Sequence, residues 1–175
     1  ASSDNNFVPL LKTLATFNKP IILSSGLANL KTILKSKKTI FDIWERKKNK
    51  KNLVIMHCVS SYPVRNNEAN LLAIVTLKKK FKDCIIGYSD HTLGTTAALS
   101  AVALGARVVE KHFTLNKKFS NFRDHQLSAD PKEMQKLEKN IRDLEKMLGS
   151  GQKDLQKSEK ISIKTMRRGA VASKI

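Results

Sequence analysis

Apolar residues in this chain gather into four short unbroken runs, separated by longer stretches in which they recur every three or four positions. The runs cover 20–24, 53–57, 84–88 and 107–113, and most are rich in β-branched residues. Continuous rather than alternating apolarity over that length predicts strands buried on both faces. Between the runs, Leu30, Ile33, Leu34, Ile40, Phe41 and Trp44 fall near helical spacing and can be read as two helices. Segment 70–81 carries Leu71, Leu72, Ile74, Val75 and Leu77. Segment 94–104 is Ala-rich and apolar nearly all round, which predicts a buried helix ending at Gly105. The clearest helix starts at Asp130, a capping residue, with Pro131 in its first turn and Glu133 completing a box-like start. Met134, Leu137, Ile141, Leu144 and Leu148 then form one stripe that Gly149 ends.

With a helix ahead of the first run, the order is a strict alternation of helix and strand. Such alternation means parallel strands joined by crossover helices. Two architectures satisfy it: a doubly wound sheet, or part of a (β/α)8 barrel. No GxGxxG follows a strand, so the dinucleotide-binding form of the open sheet has no support. A whole barrel needs about 250 residues, so four strands in 175 residues amount to half of one. From Ser150 the chain turns polar and is read as a linker, giving a domain over 1–149 and a linker over 150–175.

Composition narrows the class. A chain of 175 residues forms one unit and can bury a core without disulfide or zinc staples. No apolar run reaches the length of a membrane span, and no signal peptide is visible. The first residue is Ala1 rather than methionine, which points to a fragment or a processed chain. The two cysteines, Cys58 and Cys84, lie in apolar runs without a CxxC, as expected of reduced core thiols in a cytoplasmic protein. The net charge is +18, but the lysines are dispersed, including the pairs Lys47-Lys48 and Lys50-Lys51 and the triplet Lys78-Lys79-Lys80. Aromatics make up 6% and do not interleave with the basic runs, so a solvated surface is expected and specific nucleic-acid binding is not.

Polar residues able to do chemistry collect at the C-terminal ends of the four runs, the edge where parallel α/β proteins bind ligands. Ser24, Ser25 and Gly26 follow the first, and His57, Cys58, Ser60, Ser61 and Tyr62 the second. Ser89, Asp90, His91 and Thr92 follow the third, and Glu110, Lys111 and His112 end the fourth. Four such tips at one edge are harder to assign to chance than any one. His91 and His112, on strands joined by one crossover, either share a metal ion or each satisfy core hydrogen bonds. Glu110 precedes His112 by two residues and projects to the same side. Ser24, Ser25 and Ser89 either hold a phosphate at helix N-termini or cap those helices. Neighbouring strand residues point oppositely, so His57 and Cys58 are poorly placed as a nucleophilic pair and Cys58 is expected to pack. Asp124 and His125, in a polar loop over 121–128, either close over a site or face solvent.

Taken together, KPIILSSG (19–26), MHCVSSYP (56–63), GYSDHTLG (87–94), ALGARVVEKHF (103–113) and RDHQLS (123–128) resemble the sialic acid synthase (N-acetylneuraminate synthase) family. The resemblance runs from Ala1 to about Arg168. It implies the C-terminal half of a (β/α)8 TIM barrel, strands five to eight with their helices, leading toward a C-terminal antifreeze-like domain. It implies a transferase that condenses phosphoenolpyruvate with N-acetylmannosamine, giving N-acetylneuraminate and phosphate, with a divalent metal, Mn2+ or Mg2+. By the same resemblance His91 and His112 are the metal ligands, and the metal acts on the sugar aldehyde oxygen. Ser2, Ser24 and Ser89 line the phosphoenolpyruvate site, with Ser60 nearby. Tyr62 and Asp124 contact the amino sugar, Asp124 standing with Glu110 in the catalytic set, and Glu110 handles the attacking water. The full-length protein is expected to be a homodimer.

Departures from the family pattern carry expectations too. The barrel's first half, with an acidic sugar-binding residue and phosphate-binding lysines, lies outside the chain, so the fragment alone is expected to be inactive. Ser25 replaces the threonine of the usual STG signature, and Asn121, Phe122 and Arg123 stand where a glycine-proline pair is common. Three other readings fit the same residues: a legionaminate, pseudaminate or related synthase, a non-catalytic half-barrel, and a basic nucleic-acid-binding protein.

Overall fold

The computed structural model describes residues 1–48 and 51–168. Lys50 and the last part of the tail, 169–175, fall outside the described residues. A 3-10 turn at Ser2–Asp4 leads into α1 (Val8–Thr16) and β1 (Ile21–Ser24). Then follow α2 (Leu30–Arg46), β2 (Leu53–His57), α3 (Leu72–Lys80), β3 (Ile85–Asp90), α4 (Thr96–Ala103) and β4 (Val108–Lys111). Helices α5 (Arg123–Leu127), α6 (Pro131–Leu148) and α7 (Glu159–Met166) complete the chain. The four strands lie side by side in sequence order, every pair parallel. This is an α/β half-barrel sheet with its helices, as the alternation predicts.

Strand periodicity divides the sheet into two faces. One presents Ile21, Leu23, Leu53, Ile55, Ile86 and Tyr88 to Ile33, Ile40 and Trp44 of α2, Ile74 and Leu77 of α3, and Ala101 of α4. Burying each large member stabilises the layer by roughly 1.5–3 kcal/mol. The other face carries Ile22, Ser24, Val54, Met56, Gly87, Ser89, Val108 and Glu110, and at its margin Ile22 is 61% exposed. Gly87 is a glycine because a β-carbon there would stand 2.8 Å from Val108 O and overlap the Met56 sulfur.

Helix ends follow local chemistry. Asp130 accepts from Glu133 N–H at 2.9 Å while the Glu133 carboxylate accepts from Asp130 N–H at 3.1 Å, so the expected capping box is present. Gly149 takes φ +58° at the other end of α6. Two expectations change. The stretch read as two helices is one, α2, capped by Asn29, whose side chain accepts from Thr32 N–H at 3.0 Å. The stretch read as a loop over 121–128 contains α5, whose Leu127 is buried and fixes it to the core. Within the polar tail, α7 is helical. Among the described residues no helix is long and apolar enough to cross a membrane.

Candidate active site

Strands β3 and β4 build the densest cluster. Their register sets Ser89 opposite Glu110, and the Ser89 hydroxyl donates to Glu110 Oε1 at 2.5 Å. One pleat further along each strand stand His91 and His112, with ring centroids 5.3 Å apart and planes at 77°. His91 Nδ1–H donates to Val59 O at 2.8 Å, which fixes the tautomer and leaves the Nε2 lone pair directed toward Ser89, 3.3 Å away. Burial first, and then the neighbouring His91, lower the pKa of His112. A neutral imidazole is the form that ligates metal.

Tyr62 covers this pair. Its ring lies 4.3 Å from that of His91 and 5.7 Å from that of His112, and the Arg123 guanidinium stands over the ring at 5.4 Å. Burial, followed by the proximity of the acidic groups Cys58, Asp124 and Glu110, raises the Tyr62 pKa, so the phenol keeps its proton. Helix α5 brings Asp124 Oδ2 to 3.9 Å from His112 Nδ1, beyond hydrogen-bond length. The segment holding Asp124 therefore lies beside the strand tips, with Arg123 and Gln126 exposed to solvent.

A second group forms beside β2. Gly26 N–H donates to Cys58 Sγ at 3.1 Å, and Ser2 Oγ lies 3.5 Å from the same sulfur. A β-carbon on Gly26 would overlap both Ser2 Oγ and Ser60 Oγ, so these two hydroxyls converge on the bare glycine. Ser60 Oγ is buried and has no hydrogen-bond partner among the described residues. Leaving such a hydroxyl unpaired costs about 1–3 kcal/mol. Ser24 ends β1, half-buried, at the same edge of the sheet.

Other candidates separate from the cluster. His57 sits at the edge but turns toward the helices, donating Nε2–H to Ala69 O at 3.0 Å, and burial lowers its pKa. Ser25 donates to Met56 O at 2.7 Å, so it caps no helix and takes a structural role. Cys58 packs, as expected, and both cysteines are free thiols. Burial pushes the Cys84 thiol up to about 11.

Some contributors had no sequence signal. Val59 acts through its backbone carbonyl, and buried Asn5 ties the N-terminal turn to the loop by donating to Gly26 O at 2.7 Å. Asp90 and Lys111 lay within the motifs, but only the structure pairs them, at 2.9 Å.

Among the described residues no group of three or more His, Cys, Asp and Glu side chains is gathered to enclose a metal ion. His91 and His112, with ring centroids 5.3 Å apart, are the imidazoles that could hold a metal whose other positions go to substrate and water.

Comparison with known proteins identifies the family. Residues 1–153 match the NeuB family. The chain is 43% identical to the N,N'-diacetyllegionaminic acid synthase of Campylobacter jejuni, across 95% of this chain and 48% of the relative. It is 46% identical to an uncharacterized protein of Methanocaldococcus jannaschii, across 99% of this chain and 50% of the relative. The crystal structure of N-acetylneuraminic acid (sialic acid) synthetase from Leptospira borgpetersenii, in complex with citrate, superposes with a TM-score of 0.83 at 38% identity. That match covers 96% of this chain and 57% of the other. The chain thus spans about half the length of the curated relatives it matches. With the family match across most of its length and the same half-barrel in a solved relative, the chain belongs to the NeuB family.

Proposed function

We propose that this chain supplies one half of the catalytic barrel of a nonulosonate synthase, which joins phosphoenolpyruvate to an N-acetylated amino sugar. The observation that carries this reading is the convergence of Ser89, His91, Glu110, His112, Tyr62 and Asp124 at one sheet edge. N-acetylmannosamine is the first sugar to consider, yielding N-acetylneuraminate. The resemblance to a legionaminic acid synthase keeps the precursor of that sugar as a second reading.

His91 and His112 would hold a divalent metal, Mn2+ or Mg2+, through neutral imidazole nitrogens. When bound, the metal polarises the aldehyde oxygen of the sugar. Ser2, Ser24 and Ser89 would offer hydroxyls to phosphoenolpyruvate, with Ser60 packed beside them against Gly26. Tyr62 and Asp124 hold the amino sugar against the histidines. Carbon 3 of phosphoenolpyruvate forms the new bond to the aldehyde carbon. Water adds at carbon 2, its proton passing to a Glu110 carboxylate oxygen that Ser89 orients. Cleavage of the bond between carbon 2 and the phosphate oxygen then expels inorganic phosphate as the carbon 2 hydroxyl gives up its proton and becomes the keto group, the two protons from water ending on the former aldehyde oxygen and on phosphate.

The test is phosphate release from phosphoenolpyruvate, measured with and without N-acetylmannosamine and Mn2+. We expect none from residues 1–175 alone. We expect sugar-dependent release when the chain is joined to the complementary half-barrel of the Leptospira synthetase. Release that ignores the sugar, or turnover by 1–175 alone, would overturn the assignment.

A further inference from the structure

Behind the cluster lies a second set of polar side chains that the chemistry does not use. Residues 88–92 and 109–112 alternate, so Ser89, His91, Glu110 and His112 face the site while Asp90 and Lys111 face the opposite way. Both side chains are almost fully enclosed, Asp90 at 0% exposure and Lys111 at 2%. Lys111 Nζ donates to Asp90 Oδ2 at 2.9 Å and to Thr92 O at 2.6 Å. Asp90 Oδ1 accepts from Thr92 N–H and from the Thr92 hydroxyl, each at 2.8 Å, and from the Tyr88 hydroxyl at 3.4 Å. Asp90 and Lys111 are register partners, one step from the Ser89–Glu110 pair on the same two strands.

We propose that the Asp90–Lys111 pair positions the site: it fixes the spacing of the two strand tips and the backbone that carries His91, and so aligns His91 with His112 and Ser89 with Glu110. Three features support this. A buried ion pair adds little net stability, since apolar residues of similar volume serve as well or better, so its presence points to another role. Its bonds bracket His91, running from Asp90 on one side to Thr92 on the other. Moreover, Lys111 spans from β4 to the loop beyond β3, where a slip of one residue would turn every site group away. Asp90 and Lys111 touch no reacting atom, so they are positioning residues. The metal-binding arm of the test rests on the proposed function, whereas the alignment itself does not.

The experiment compares wild type with Lys111→Met and with Asp90→Asn/Lys111→Met. Each protein is followed by thermal unfolding, by NMR of the imidazole nitrogens and by Mn2+ titration. Lys111→Met alone strands a buried carboxylate and should lower the unfolding midpoint. The double variant removes both charges and should recover it. We expect the double variant, though folded, to lose the single Nδ1–H tautomer of His91 and to bind Mn2+ about 10- to 100-fold more weakly. A folded double variant with wild-type His91 and His112 spectra would overturn the proposal whatever the metal does. A double variant that cannot fold would overturn it too, reducing the pair to a stability element. If the spectra change but wild type binds no Mn2+ through His91 and His112, the alignment stands and the metal reading fails.

Discussion

Glu110 and His112 leave β4 on one face because two residues separate them, and Ser89 and His91 leave β3 on one face for the same reason. That much was readable from the chain, since a period of two needs only the strand assignment. What could not be read was their orientation, because His91 is aimed by the carbonyl of Val59, and a backbone group has no sequence signature. Replacing Glu110 by Gln in the joined barrel should slow turnover by roughly 10²–10⁴-fold while Mn2+ still binds, as steady-state kinetics beside metal titration would show. His91→Ala and His112→Ala should instead abolish most Mn2+ binding and leave the thermal midpoint near wild type. His57 gives a pH test of its own. Burial lowers its folded pKa below the ordinary 6.5, so the unfolded chain binds the proton more readily. Its contribution to stability is therefore complete above about pH 6.5 and declines as pH falls from there toward the folded value. Thermal midpoints measured across that range should fall with acidification in wild type and fall less in His57→Gln.

The elements differ in how plainly the chain announces them. Helix α6 was legible end to end, because Asp130, Pro131, Glu133 and Gly149 each leave a local mark and eighteen residues give the stripe room to repeat. Asp130→Ala should cost about 1 kcal/mol in chemical denaturation, the usual loss for an N-cap. Helix α5 is five residues long, exposes Arg123 and Gln126 and buries only Leu127, so no period can show in its sequence. Helix α2 looked divided because the polar stretch 35–39 separates its apolar groups, yet Ser36 stays inside by donating to the carbonyls of Thr32 and Asn5. In the sheet, Gly87→Ala would press a methyl group against Val108 O and the Met56 sulfur. We expect a loss of about 1–3 kcal/mol by urea unfolding, with a shifted β3–β4 register visible in the amide spectrum.

At the scale of the whole molecule, the sheet is covered by helices on one face, while Ile22 at the margin of the other remains open. Strands β1 and β4 each pair on one side only. Open edges of that kind invite pairing with another chain. Residues 1–175 in isolation should therefore run above the 19.6 kDa of one copy in light scattering at low micromolar concentration, despite the repulsion of a +18 charge. A clean single copy there would count against an open apolar face. The serial order of the strands carries a further consequence, in time rather than in space. Every strand pairs with the next one made, so the sheet can grow in the order of synthesis without waiting for a distant partner. The cost of closing each loop rises with the logarithm of its length, and the span from Gly87 to Val108 is shorter than that from Ile21 to Leu53 or from Val54 to Ile85. The pair of strands that carries Ser89, His91, Glu110 and His112 thus has the smallest entropic barrier to meeting, and during refolding its amides should gain protection from hydrogen exchange ahead of those of β1.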